Sequence, residues 1–297
     1  VARRLRLAVA QSTVPEDPTD PENLRASGRQ IRALMREARD AGARLVQFPE
    51  GAITYPGKRV MSSGPRGTLG PSDWSRVDWD VLRAEAAAVA ESAGELGLWV
   101  VFGAPHALTP PHRPHNSLYV VSDKGALVSR YDKRYLSHAE VSYMYTPGTQ
   151  PLVFEVDGIR FGTALCIEVN FPEVFDAYEQ LGVDCVLVSV MVDDAARAVV
   201  AQAYATLYNY WVAYSVPAQF GATAPATVIA PGGRPLARCP AANRPGLAVA
   251  DIDLDTPDPD IDAALRLARP WRRTARTGLY DRHVVRGDGR SETRTEF

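Results

Sequence analysis

Apolar residues recur along the chain in short runs separated by longer amphipathic stretches, the rhythm of a mixed α/β protein. Leu5-Arg6-Leu7-Ala8-Val9-Ala10 reads as a strand. After a polar, proline-rich loop, Asp20-Pro21 supplies a cap and first turn for a helix that runs to about Asp40 and is stopped by Gly42. Leu45-Val46-Gln47-Phe48 is the next buried strand, and Pro49-Glu50-Gly51 puts Glu50 just past its carboxyl end. Open α/β sheets keep their chemistry at such ends.

The pattern then repeats. A Gly- and Pro-rich loop, 55–72, leads to an Ala-rich helix over about Trp79 to Ala93 and a strand over Leu98 to Phe102. Ser117 to Val121 and Ala126 to Val128, joined by Ser122-Asp123-Lys124-Gly125, predict a β-hairpin, with Lys133 in the polar loop beyond it. A second hairpin pairs Leu152 to Val156 with Ile159 to Leu165 through Asp157-Gly158 and delivers Cys166 at its end. Asn170-Phe171-Pro172-Glu173 then reads as an Asn cap with proline in the first helical turn, a sharp strand-to-helix connection that exposes a side chain.

The remainder alternates similarly, with strands at Asp184 to Val190, Trp211 to Val216, Thr227 to Ala230, Leu236 to Arg238 and Leu247 to Ile252. A helix is expected over about Asp194 to Tyr210. From Arg269 onward the apolar pattern fails and arginine dominates. Strands and helices are mixed throughout without a linker, repeat or low-complexity segment, which predicts one α/β domain.

At 297 residues, with 46% hydrophobic and 23% charged positions and a formal net charge of -2, the chain has the profile of a soluble globular protein. The charge balance does not point to nucleic acid or anionic lipid. Val1 to Gln11 does not read as a signal peptide, and no apolar run is long enough to span a bilayer. Cys166, Cys185 and Cys239 show neither metal-site nor disulfide-framework spacing, which places the protein in a reducing, cytoplasmic compartment. Of the 33 basic residues only Lys58, Lys124 and Lys133 are lysine, so a compact ammonium between Arg130 and Arg134 stands out.

Glu50, Lys133 and Cys166 each fall at or just after a predicted strand end. A cysteine needs a base or a positive neighbour to become nucleophilic at neutral pH, and a carboxylate beside it can take the thiol proton. An ammonium can stabilise the oxyanion of a tetrahedral intermediate, with the backbone N–H after the nucleophile, here Ile167, as a second donor. Taken singly, each residue has an ordinary alternative: a core cysteine, a helix-capping carboxylate, a solvated loop charge.

Together with their surroundings these segments resemble the nitrilase superfamily, or carbon–nitrogen hydrolases, over nearly the whole chain. The resemblance is carried by Leu7-Ala8-Val9-Ala10-Gln11, Leu45-Val46-Gln47-Phe48-Pro49-Glu50, Asn116-Ser117 and Tyr131-Asp132-Lys133-Arg134-Tyr135-Leu136. Gly162-Thr163-Ala164-Leu165-Cys166-Ile167-Glu168 and Phe171-Pro172-Glu173 complete it. It implies a four-layer α-β-β-α sandwich that pairs as a homodimer, with residues 1–268 as the hydrolase domain and 269–297 as an arm packing on a partner subunit. Glu50 is then the general base, Lys133 the oxyanion cation and Cys166 a nucleophile that forms a thioester. Glu140, ahead of Pro147-Gly148, looks like the family's second glutamate and would orient Lys133 or the base. Glu168 resembles an acidic position of structural rather than catalytic use. Ala205 stands where the family usually has arginine, although Asn209 fits.

The implied reaction is hydrolysis of a linear amide or carbamoyl C–N bond without metal or organic cofactor. Ile167 in place of the tryptophan usual in nitrile-cleaving members favours an amidase over a nitrilase. Candidate substrate contacts are Tyr55, His138, Tyr143, Met144, Asn170 and Met191, near motif residues in the chain. Three other readings remain: acyl transfer from the same thioester, a Cys166–His138 dyad, and a catalytically silent scaffold. Arg269, Arg272, Arg273, Arg276, Arg282, Arg286, Arg290 and Arg294 could form a nucleic-acid arm, but Trp271, Leu279, Tyr280 and His283 among them favour a structural one.

Overall fold

The structure is a computed structural model that describes residues 3–65, 68–293 and 295. Its first strand, β1 (Arg4–Gln11), alternates: Leu5, Leu7 and Val9 belong to one buried cluster, Ala8 and Ala10 to another on the opposite face. The period of two is the geometry of a pleated strand. The small alanines leave room for helices. α1 (Pro21–Asp40) fills that space with Leu24, Ile31, Leu34, Met35 and Ala38, an i, i+3, i+4 stripe, and its cap is Asp20, whose side chain accepts from the Glu22 N–H.

β2 (Leu45–Gln47) lies beside β1. α2 (Lys58–Met61) is a single turn, and α3 (Trp79–Leu96) packs alongside α1. β3 (Trp99–His106), β4 (His115–Val121) and β5 (Leu127–Asp132) complete the first sheet apart from its last member. The second sheet is built from β6 (Val153–Val156), β7 (Ile159–Leu165), β8 (Cys185–Ser189), β9 (Trp211–Ser215), β10 (Thr227–Ile229) and β11 (Pro235–Arg238). α4 (Pro172–Gln180) and α5 (Ala195–Tyr208) follow β7 and β8 and pack on one another, Phe175 stacking on Tyr204. Finally β12 (Gly246–Asp253) returns to the first sheet, antiparallel to β1.

The two six-stranded sheets run β12-β1-β2-β3-β4-β5 and β11-β10-β9-β8-β7-β6. Their inner faces share one core, in which Leu7, Val9, Val101 and Leu118 face Phe161, Cys185 and Leu187. β8 and β9 are buried over their full length, because parallel strands sandwiched between a sheet and helices have no solvated face. Two helices cover each outer face, so the architecture is the four-layer α-β-β-α sandwich expected.

One local reading differs. Asn170 is not the cap of α4: the chain after β7 makes a 3-10 turn, Cys166–Asn170, and the helix restarts at Pro172 with Phe171 before it and no side-chain cap. The arginine-rich segment, where the apolar pattern fails, is partly helical. After α6 (Pro259–Ala263) it forms α7 (Arg269–Arg276), which sits on its own subunit through guanidinium contacts instead of an apolar stripe. Buried Arg269 pairs with Asp184 at 3.2 Å, and Arg273 and Arg276 reach the buried Glu179 carboxylate at 3.1 and 2.9 Å. Arg272 lies 4.5 Å over the Tyr208 ring. α8 (Gly289–Glu292) is exposed, and Arg294 lies outside the described residues. Among the described residues no helix is long and apolar enough to cross a membrane.

Candidate active site

Glu50 is held by the end of a central strand. β2 runs parallel to both β1 and β3, and beyond it the Phe48 N–H still donates to the Val101 carbonyl at 2.8 Å. From the second sheet, the Ser189 hydroxyl donates to the Phe48 carbonyl at 2.8 Å and accepts from the Gln47 amide at 3.0 Å, so both layers fix this loop. Gly103 on β3 lets the loop lie flat: a Cβ there would stand 2.3 Å from the Gly51 nitrogen and 2.8 Å from the Pro49 carbonyl. Gly51 itself has φ +62° and turns the chain back so sharply that a Cβ would meet Tyr55 at 2.7 Å.

The Glu50 carboxylate is fully buried. Its Oε1 accepts from the Asn116 amide and from Lys133 Nζ, each at 2.8 Å, whereas Oε2 has no hydrogen-bond partner among the described residues. Burial pushes its pKa above the ordinary carboxylate value, an effect that the Lys133 charge opposes without cancelling.

Lys133 follows β5. Its N–H donates to the Asn116 carbonyl at 2.9 Å and its own carbonyl accepts from Gly148 at 2.8 Å, which fixes the stem and aims the side chain inward. The buried ammonium donates to Glu50 Oε1 at 2.8 Å and Glu140 Oε1 at 2.9 Å. Burial alone would lower its pKa, but the two carboxylates hold it well above the usual lysine value, so it stays charged. Glu140 opens a π-helical turn, Glu140–Met144, and its Oε2 accepts from the Ser137 N–H at 2.7 Å. Burial works to raise the Glu140 pKa, yet Lys133 and Ser137 bring it below the usual value.

Cys166 ends β7, where Leu165 is paired with Ser189 of β8. Its φ of +44° is in the left-handed region that non-glycine residues rarely occupy, a local cost that surrounding contacts must hold in place. Those contacts converge on Glu168. Its buried carboxylate accepts from the Leu165 N–H at 2.7 Å, the Arg134 and Tyr135 N–H groups at 2.8 and 3.1 Å, and the Tyr131 hydroxyl at 2.8 Å. One side chain therefore ties the cysteine elbow to the lysine loop, the structural use anticipated for it.

The thiol is part-exposed and lies 3.9 Å from the Met191 carbonyl. Desolvation first, and the Glu50 charge second, push its pKa up to about 12. The resting group is thus a thiol, and attack requires a base to remove its proton.

Among the other candidates, Tyr55 lies within electrostatic range of Glu50, Glu140, Lys133 and Cys166, and burial holds its phenol neutral, well above its normal pKa. Met191 reaches the sulfur through its backbone. Met144 is buried, with its carbonyl accepting from the Trp74 indole at 3.0 Å, and the Tyr143 carbonyl is occupied by Ser72. Asn170 and His138 are exposed, and among the described residues no hydrogen bond or ion pair joins His138 to Cys166. Ile167 is the second residue of the 3-10 turn, where a backbone N–H has no acceptor within the turn.

Sequence reasoning missed the roles of Asn116 and Tyr145. Asn116, the polar opening of the β4 run, orients Glu50, and buried Tyr145 lies in range of Glu140, Glu50 and Lys133. A buried polar pair, Asn116-Ser117, opening an apolar strand run was the available signal for Asn116; Tyr145 offered none.

The sandwich thus holds Glu50, Lys133 and Glu140 in one hydrogen-bonded group, with Cys166 at the end of β7. The sequence profile of the carbon–nitrogen hydrolase family matches residues 6–259, and the chain belongs to that family. A hydrolase of Mycobacterium tuberculosis is 29% identical over 189 residues, 62% of this chain and 60% of that protein, so the match spans well under its full length. The omega-amidase NIT2 of Xenopus tropicalis is 24% identical over 93% of this chain and 97% of its own. The amidase of Nesterenkonia sp. has the same fold, with a TM-score of 0.70, 22% identity and 92% and 96% of the two chains covered. One structure of that amidase carries the acetamide moiety of fluoroacetamide on its active-site cysteine. Amidases are thus among the proteins that share its fold.

Proposed function

We propose that this protein hydrolyses a linear, non-peptide amide or carbamoyl C–N bond through a thioester on Cys166. The observation that carries the reading is the asymmetry of Glu50: one oxygen is fixed by Lys133 and Asn116, and the other is buried without a hydrogen-bond partner among the described residues. A carboxylate so arranged has one lone-pair face reserved for a proton in transit.

As the sulfur attacks the carbonyl carbon, the thiol proton passes to Glu50 and the C–O double bond opens to an oxyanion. An ammonium has three donors; two are taken by Glu50 and Glu140, which leaves one for that oxygen beside the Ile167 N–H. Collapse breaks the C–N bond, and Glu50 returns the proton to the departing ammonia or amine. Water then attacks the thioester, giving its proton to Glu50, and the acid leaves with the sulfur restored as a thiol. Glu140 keeps Lys133 charged and aimed throughout.

The test is intact-protein mass spectrometry of wild type and Cys166→Ala after brief exposure to amides, carbamoyl compounds and nitriles. An acyl adduct that depends on Cys166 is expected with an amide or carbamoyl compound. Faster turnover of a nitrile than of every amide would replace amidase by nitrilase, and product partitioning with an added amine would reveal acyl transfer. We also propose a homodimer in which the arm beyond α7 reaches a partner subunit. Light scattering of the full chain and of a chain ending at residue 276 tests this, and an unchanged monomer in both would refute it.

A further inference from the structure

The turn that carries Glu140 is of a rare kind. Glu140–Met144 is π-helical and is closed by the Tyr145 N–H on the Glu140 carbonyl at 2.9 Å. Glu140 is its first residue, so the place of this carboxylate beside Lys133 depends on what holds the rest of the turn. We propose that Trp74 is a positioning residue for the reaction: its indole holds the end of this turn and so keeps Glu140 on Lys133 while Cys166 is acylated. The proposal rests on the amidase reading and extends it to a residue outside the hydrogen-bonded group.

Three groups from elsewhere in the chain occupy carbonyls of the turn. The Trp74 Nε1–H donates to the Met144 carbonyl at 3.0 Å, the Ser72 N–H to the Tyr143 carbonyl at 2.9 Å and the Arg113 guanidinium to the Val141 carbonyl at 2.8 Å. Trp74 does more than the other two, because its ring also packs on Tyr145, with centroids 5.4 Å apart and planes at 47°. Tyr145 is buried, its N–H closes the turn on Glu140, and its phenol lies in range of Glu140, Glu50 and Lys133. One side chain thus holds both the last residue of the turn and the residue that ties it back to Glu140.

Trp74 is itself fixed. It opens a 3-10 turn, Trp74–Arg76, capped by Asp73, whose carboxylate accepts from the Ser75 N–H at 3.1 Å. The Asp73 N–H donates to the Met61 carbonyl at 2.8 Å, and the Trp79 Nε1–H donates to the Trp74 carbonyl at 3.1 Å. The Trp74 ring also borders a cavity of about 400 Å³ that it shares with Trp79, Pro111 and Arg113. A smaller side chain in its place would enlarge that cavity toward Tyr145 and withdraw the support from the turn.

The experiment measures Trp74→Phe, which keeps a ring against Tyr145 without the N–H, and Trp74→Leu, which loses both, each alone and combined with Glu140→Gln. The readouts are kcat and KM for an amide that wild type turns over and peptide-resolved iodoacetamide labelling of Cys166 across pH, with urea unfolding to record stability. Trp74→Leu should lower kcat by about a hundredfold, the cost of a misplacement of about 1 Å, with KM little changed. Trp74→Phe should retain part of the rate. Because the Glu140 charge helps to raise the Cys166 pKa, its withdrawal should shift the labelling profile downward in Trp74→Leu, as in Glu140→Gln. In the Glu140→Gln background Trp74→Leu should add little to either effect, since residues that act through one contact do not add. A Trp74→Leu protein that loses stability in urea yet keeps the wild-type kcat and labelling profile overturns the proposal, as does a full additional loss in the Glu140→Gln background. If Trp74→Leu does not fold, Trp74→Phe carries the same comparisons. A labelling shift that disappears in the Glu140→Gln background, in a protein that hydrolyses no amide, removes the amidase reading and leaves the Trp74 assignment standing.

Discussion

Lys133 Nζ lies 2.8 Å from Glu50 Oε1, on the oxygen that Asn116 also holds, so the ammonium and the amide together decide which Glu50 oxygen is free. Replacing Glu50 by Gln keeps the shape and removes the proton acceptor. Acylation should fall by about 10²- to 10⁴-fold, measured by rapid-quench mass spectrometry, with an unchanged circular dichroism spectrum. Acylation at the wild-type rate would remove Glu50 from the mechanism.

The same substitution should move the thiol in the opposite direction to activity. The Glu50 charge helps to hold the Cys166 pKa up at about 12, so Glu50→Gln should shift the pH dependence of Cys166 alkylation downward while turnover collapses. Peptide-resolved iodoacetamide labelling across pH reads this directly. An upward shift would show that the carboxylate does not face the sulfur.

The acid limb of acylation reports ionisation of Glu50 within a coupled buried group. Because burial raises the Glu50 pKa, the limb should lie above the ordinary carboxylate range, with activity rising as pH increases through it. Asn116→Ala removes a donor to the charged form and should push the limb higher still. A limb at the ordinary value, unmoved in Asn116→Ala, would contradict the assignment.

Glu168 supports both the elbow and the lysine loop, so Glu168→Ala should orphan several buried donors at once. A loss of about 3 kcal/mol or more in urea unfolding is expected. Glu168→Gln should recover part of it, since its carbonyl oxygen can still accept. Equal stability of Glu168→Ala and wild type would show that the elbow is held by other contacts.

Gly103→Ala tests the floor beneath the base. The added Cβ would fall 2.3 Å from the Gly51 nitrogen, so the loop must move. Destabilisation of about 1–3 kcal/mol, as for overpacking elsewhere, should accompany a larger loss of kcat. Full activity would mean that Glu50 tolerates displacement.

The succession of strands along the chain was legible because each strand carries its burial pattern locally: β1 alternates inner Leu5, Leu7 and Val9 with outer Ala8 and Ala10, and β8 is an apolar run up to Ser189. The positions of Glu50, Lys133 and Cys166 at strand ends were legible for the same reason. The α4 cap was misread because Asn170 has the right residue type, while the 3-10 turn depends on Glu168 bonding back to Leu165. The helix in the arm was not legible because α7 is anchored by Arg269 on Asp184 and Arg273 on Glu179, pairs that no local pattern announces. What the sequence determined alone was the alternation of elements and the residue types delivered at their ends. The shared Glu50 oxygen, the neutral thiol and the contact of Lys133 with Glu140 were decided only by tertiary structure, because hydrogen-bond partners and desolvation come from side chains that only the fold brings together.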